Sequence, residues 1–178
     1  MIRLFAAIAI PADTAEGLAR HQQGLPGAQW RPAQSLHITL GFFGSVVENR
    51  ADDLASELSC ISPAAMPVVI AGVGSFGDGV EINAIWAGVE ENEALRRLAT
   101  RCETAARRAG LKPETRVWRP HVTLAYFNRP EPQRVAAWIQ SHNLLHSPPF
   151  LVDRFGLYSS WRTDDGSSYR LERCYSLG

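Results

Sequence analysis

Cysteine is scarce in this 178-residue chain: Cys60, Cys102 and Cys174 are the only three. Their number is odd, their spacing wide, and no CxxC pair is present, which argues against a disulfide framework and against a structural zinc site. A reducing cytoplasm is the expected compartment. Net charge is lacking as well. The 18 basic residues balance 18 acidic ones, so no broad positive field exists to hold long nucleic acid through many phosphates, and any contact with RNA must be local. No apolar run reaches the length of a membrane span. The nearest approach to a targeting segment, Arg3 followed by Leu4 to Ile10, sits at the short limit of a secretory signal core and leads at once into a turn and a helix start, as a buried first strand does. Also missing are a G-x-x-x-x-G-K phosphate loop and a G-x-G-x-x-G turn following a strand, so no cofactor is expected.

What is present reads as an ordinary folded chain, with 46% apolar and 20% charged residues, enough to bury one domain or two small lobes without staples. After the first strand, Asp13 and Glu16 form a D-x-x-E capping pattern that predicts a helix to about Gln23. An extended stretch follows from Trp30 to Phe43, then a helix from about Glu48 to Cys60 carrying Leu54 and Leu58 on one face, then a strand from about Val68 to Phe76. Ile82 to Val89 predicts another strand. Leu95, Leu98, Cys102 and Ala105 mark a long amphipathic helix ending at Gly110, and Trp118 to Phe127 reads as a strand. A helix from about Glu131 to His142 and strands near Phe150 to Ser159 and Tyr169 to Tyr175 complete the order. The succession strand, helix, strand, helix, strand thus occurs over residues 2–76 and again over 82–159, a duplication that predicts two related lobes in a single domain spanning 1–178, with the chemistry in the cleft between them.

The duplicated strands carry the same motif, Leu36-His37-Ile38-Thr39-Leu40 and Pro120-His121-Val122-Thr123-Leu124. His121 follows His37 by 84 residues, and Thr123 follows Thr39 by the same interval. Side chains alternate along a strand, so each motif turns its His and Thr to one face and its apolar residues into the core. A lone histidine in a strand is usually a satisfied structural residue. Two copies at matched spacing are better explained by converging imidazoles and hydroxyls, the set that opening a cyclic phosphodiester needs: a base for water, an acid for the departing ribose oxygen, and donors for the phosphoryl oxygens.

The paired H-x-T-L motifs resemble the two-histidine phosphoesterase superfamily, and within it the RNA 2′,3′-cyclic phosphodiesterase branch, also called 2′-5′ RNA ligase. The likeness covers nearly the whole chain, including Trp30 to Gly44, Ile85-Trp86-Ala87-Gly88-Val89, Trp118 to Leu124, Leu157-Tyr158-Ser159-Ser160 and Gly166-Ser167-Ser168-Tyr169. It implies an α+β, bilobal fold: two pseudo-symmetric lobes, each an antiparallel sheet with helices on its outer face, around a central active-site groove. It implies that His37 donates a proton to the leaving oxygen, that His121 accepts one from water, and that no metal takes part. The residues alone leave the direction open.

The pattern departs from the resemblance at Ala125-Tyr126, where a basic residue often follows the second motif, and Arg119 is the candidate to supply that charge. Thr39 and Thr123 are the expected phosphate clamps. Phe43 and Tyr126, with Tyr158 and Trp161 behind them, are candidates to stack a terminal base. Phe43 shares a face with His37 only if no bulge interrupts the strand. His21, His142 and His146 are expected at the surface, as is the arginine-rich face of the helix ending at Gly110. The expected partners are RNA termini or small cyclic nucleotides, with no membrane and no metal, and a monomer is expected. The competing readings are 2′-5′ end joining, action on another small cyclic or 2′-linked nucleotide, and an RNA-end-binding module without catalysis.

Overall fold

A computed structural model describes residues 1–112, 114, 116–163 and 166–178. The run read as a borderline signal core is the first strand, β1 (Ile2–Ala9), buried from Leu4 to Ile8. It is followed by α1 (Ala12–Ala19), β2 (Gln29–Trp30), β3 (His37–Val46), α2 (Glu48–Ser59), β4 (Met66–Val68), β5 (Ile70–Phe76) and β6 (Ala84–Val89). Then come α3 (Glu93–Arg108), β7 (His121–Tyr126), α4 (Pro132–His142), β8 (Phe150–Val152), β9 (Arg154–Thr163) and β10 (Gly166–Ser176). Among the described residues no helix is long and apolar enough to cross a membrane.

Eight strands form one sheet in the order β10-β9-β1-β3-β7-β6-β5, with β2 added beside β7, and every pairing is antiparallel. The strand-helix order does repeat, but each repeat does not build its own half of the sheet. β5, from the first repeat, pairs with β6 of the second, and β9, from the second, pairs with β1 of the first. β4 and β8 form a separate two-stranded ribbon across the same divide. The two halves therefore exchange their last strands and meet at a single registered pair, Ile38 opposite Val122 between β3 and β7.

The helices cover the sheet in pairs. α2 packs on α3, which lies against β3, while α2 also meets β10. α4 packs against β5 and is tied to the end of α1 by Trp138 Nε1, which donates to the Gln23 carbonyl at 3.0 Å. α3 begins at Glu93 because the Asn92 side chain accepts from the Leu95 N–H at 3.0 Å and satisfies a free helix-end donor. α1 is shorter than its pattern predicts. Pro11 occupies the cap position, and Asp13 accepts from the adjacent Thr14 N–H rather than capping the helix.

A G-x-G-x-x-G string runs from Gly72 to Gly77, but it lies within β5 and its turn and opens no long helix. Gly74 is needed for packing: a Cβ there would collide with the Trp86 ring.

Candidate active site

The seam between the two halves of the sheet places the duplicated motif. Ile38, Leu40, Val122 and Leu124 are each 2% exposed or less, and burying such side chains stabilises the fold by about 1.5–3 kcal/mol apiece. Their alternation forces His37, Thr39, His121 and Thr123 onto the opposite, half-buried face. With Ile38 opposite Val122, the antiparallel register sets His37 across from Thr123 and Thr39 across from His121. The two imidazoles thus sit diagonally across the seam, positions that in a regular sheet lie about 7–8 Å apart.

Each ring is held by the same device. His37 Nδ1–H donates to the Ser35 carbonyl at 2.7 Å, and His121 Nδ1–H donates to the Arg119 carbonyl at 2.7 Å, each acceptor two residues upstream. This fixes the tautomer in which Nε2 of a neutral ring is free to accept a proton or, when charged, to donate one. Aromatic walls complete the setting. The Phe5 and Tyr169 rings lie 5.2 Å from His37, and the Phe76 ring 4.7 Å from His121, with Trp86 beyond it.

Burial pushes the His37 imidazole below the ordinary 6.5; the bond to Ser35 opposes this, and the charges of Arg31 and His121 add to the depression. His121 is also depressed by burial, against the pull of its bond to Arg119. Both rings are therefore mainly neutral at pH 7 when the site is empty. Two neutral imidazoles of fixed tautomer can exchange protons with a bound phosphate, and the adjacent hydroxyls of Thr39 and Thr123 can donate to its oxygens.

The backbone of the first motif is braced by the second half of the chain, since Trp118 Nε1 donates to the Thr39 carbonyl at 2.9 Å. Thr39 and His121 also line a cavity of about 510 Å³ that continues from the seam toward α3, past Phe42, Arg96 and Trp118. Arg119 is exposed and lines this cavity, so its charge is within the site region. Tyr126 is 42% exposed at the other end of β7.

Phe43 is a correction. The β1–β3 register shifts twice, leaving Leu40 and Phe43 without partners and setting Phe42 opposite Phe5. Phe43 is thereby turned inward, 7% exposed and part of the core, with only its edge lining the cavity, while Phe42 presents the more open ring at 36% exposure. Gly41 and Gly44, the latter at φ 69°, flank the displaced ring and were the signal for the irregularity. Tyr158 stacks on Phe5 at 5.4 Å, one ring removed from His37, and Trp161 is exposed further along β9.

The remaining histidines lie elsewhere. His142 stacks on Trp138 at 4.2 Å, His21 meets His142 edge-on, and His146 Nε2 lies 3.0 Å from Glu90. The arginines of α3 mostly pair with glutamates of the same surface, as in Arg97 with Glu93, though Arg96 also reaches the cavity wall. Among the described residues no group of three or more His, Cys, Asp or Glu side chains is placed to hold a metal ion.

Arg31 was missed by the sequence reading. It is buried, its Nη2 donates to the Ser167 carbonyl at 2.9 Å, and its guanidinium lies over the rings of Tyr126 and Tyr169. Trp30-Arg31-Pro32 echoes Trp118-Arg119-Pro120, which was the available hint.

This fold, with a histidine from each half of a doubled sheet at one seam, defines a two-histidine phosphoesterase. The chain belongs to the 2′-5′ RNA ligase superfamily, whose family model matches residues 10–164. A protein of Archaeoglobus fulgidus named RNA 2′,3′-cyclic phosphodiesterase is 26% identical over 172 residues, covering 95% of this chain and 97% of that protein. One of the same name from Geobacillus stearothermophilus is 27% identical over 127 residues, 68% of this chain, and there the match spans 40% of the relative's length. The crystal structure of E. coli LigT complexed with 3′-AMP superposes with a TM-score of 0.78 at 23% identity, over 99% of this chain and 98% of that one.

Proposed function

We propose that the protein opens 2′,3′-cyclic phosphates at RNA ends. His121 takes a proton from water as its oxygen bonds to phosphorus, the bond from phosphorus to the 3′ oxygen breaks, and His37 protonates that oxygen. The product is a 2′-phosphomonoester beside a 3′-hydroxyl, and the two rings end with their protons exchanged. The observation that carries this reading is the mirrored hydrogen-bonding of the two imidazoles, which presents two equivalent proton-transfer atoms at one seam. The names of the curated relatives and the 3′-AMP bound to E. coli LigT agree with a substrate ending in a ribose phosphate. In this reading the imidazoles carry both proton transfers and the threonine hydroxyls donate to the phosphoryl oxygens, with no Lewis acid taking part.

The direct test is phosphorus NMR of the product from a cyclic-phosphate dinucleotide, with and without chelator. A 2′-phosphate formed equally in both is expected. A 3′-phosphate, or activity that chelator abolishes and zinc restores, would overturn the mechanism, and no turnover of any cyclic phosphate or 2′,5′-linked oligonucleotide would overturn the assignment.

The pH dependence follows from the direction of the shifts. Catalysis needs one ring charged and the other neutral. Because both rings are depressed in the empty site, the singly protonated enzyme becomes more abundant as pH falls from 7, until the second proton binds. The profile of kcat/KM should therefore be a bell with its maximum below 6.5. A bound phosphate anion favours protonation, so the profile of kcat should lie at higher pH than that of kcat/KM. A profile flat between pH 5 and 8, on about the range that histidine covers, would remove the pair from the mechanism.

The threonines are neutral donors, and one hydrogen bond of that kind contributes about 0.5–1.5 kcal/mol. Thr39→Ala and Thr123→Ala should each lower kcat/KM by roughly tenfold or less, far less than loss of a histidine. A larger drop for either hydroxyl, measured on folded protein, would assign it a proton-transfer role.

A further inference from the structure

A buried cation without an assigned role lies at the His37 end of the groove. Arg31 follows β2 and is held by its backbone: its N–H donates to the Leu124 carbonyl at 2.8 Å, and its own carbonyl accepts from Gln22 Nε2 at 2.8 Å. The residue is 9% exposed. The guanidinium carbon sits 5.9 Å from the centre of the Tyr126 ring and 5.5 Å from that of Tyr169, and Tyr169 meets the His37 ring edge-on at 5.2 Å. Arg31 and His37 thus share one neighbour.

Enclosing a guanidinium is costly unless its charge is met. The Ser167 carbonyl takes one of five N–H donors, and two aromatic faces supply further attraction. Among the described residues no carboxylate forms an ion pair with it. The only buried side-chain nitrogen or oxygen left without a partner there is Trp86 Nε1, so the rest of the guanidinium is not sealed into an apolar wall. A fixed, planar fork of donors beside a proton-transfer ring is a phosphate receptor by chemistry.

We propose that Arg31 binds the non-bridging oxygens of the phosphate that the two histidines flank. This deepens the reading of the site given above and rests on it. Arg31 supplies the positive charge that the exposed Tyr126 does not, reaching the groove from β2 across the face of that tyrosine. The charged or titratable groups around His37 are Arg31 from the β2 side, His121 from β7 and Tyr169 from β10. In the empty site the Arg31 charge disfavours a proton on His37, and a phosphate that engages the guanidinium offsets that charge, so substrate arrival prepares His37 to act as the acid.

The test uses inorganic phosphate, with the His37 ring followed by NMR, on the wild type, Arg31→Gln, Arg31→Lys, and Arg31→Gln combined with Tyr126→Arg. Arg31→Gln should weaken phosphate by roughly 10- to 100-fold, the loss expected for one charge-assisted contact, and His37 should titrate at higher pH because a neighbouring cation is gone. Arg31→Lys, which keeps the charge and loses the fork, should fall between. The double variant should recover phosphate binding, since a guanidinium on residue 126 reaches the same space. If Arg31 only braces the β9–β10 hairpin through Ser167, Arg31→Gln lowers Tm while phosphate affinity and the His37 titration stay unchanged and Tyr126→Arg restores nothing; that result overturns the proposal. Should Arg31→Gln fail to fold, unaltered phosphate binding in Arg31→Lys does the same. Phosphate binding is read without turnover, so inactivity of the wild type on cyclic phosphates would sink the reaction and leave the Arg31 result standing by itself.

Discussion

Replacing either His37 or His121 by alanine should lower kcat/KM on a 2′,3′-cyclic nucleotide by about 10²- to 10⁴-fold, the usual contribution of one positioned proton transfer. The protein should remain folded, because both side chains lie on the half-buried face of the seam, whereas the core is closed by Ile38, Leu40, Val122 and Leu124. In the proposed mechanism the two rings act on one phosphate in a single event. The double variant should therefore lose little more than the worse single one, as groups that act as a unit are not additive. Steady-state kinetics with circular dichroism on the same samples decides the matter. A folded His37→Ala or His121→Ala protein within tenfold of wild type would show that proton transfer is supplied elsewhere.

The second large effect concerns the seam itself. Ile38 is fully buried and forms the one registered pair between the halves of the sheet. Ile38→Ala should cost about 2–5 kcal/mol, the range for removing a buried aliphatic chain and leaving a cavity. At about 2–4 °C per kcal/mol for a chain of this size, Tm should fall by roughly 5–15 °C. Ile2, on the same sheet but 41% exposed, provides the control and should shift Tm far less. Activity at a temperature where both variants are folded should fall for Ile38→Ala and not for Ile2→Ala, because widening the seam separates the imidazoles. Equal Tm for the two variants, measured by calorimetry, would mean that the halves are held together by other contacts.

The motif was legible because its evidence is local and doubled: the alternation in Leu36 to Leu40 and Pro120 to Leu124 states which way each side chain points, and two copies exclude coincidence. Most of the helices and strands were legible for the same reason, as periodicity records burial. Partnership is another matter. Nothing in residues 70–76 says that β5 pairs forward with β6 instead of back with β3, because a strand's pattern gives its faces and not its neighbours. Arg31 was hidden likewise, since its place depends on β2 lying beside β7, almost a hundred residues further along the chain. Phe43 was misplaced because parity counting assumes an unbroken ladder, and two register shifts fall within β3. At the start of α1 a capping pattern lost to its context, since Pro11 and not Asp13 took the cap.

The exchange of strands sets the order in which the molecule can be completed on the ribosome. β1 emerges first, yet one of its two neighbours, β9, begins only at Arg154. The β3–β7 seam likewise waits for residues beyond His121. An early-made central strand with an open edge is a target for mispairing, and the groove is walled on both sides only once β7 and β9 have followed it. A nascent chain cut short before His121 would carry His37 in full and lack the imidazole that faces it across the seam.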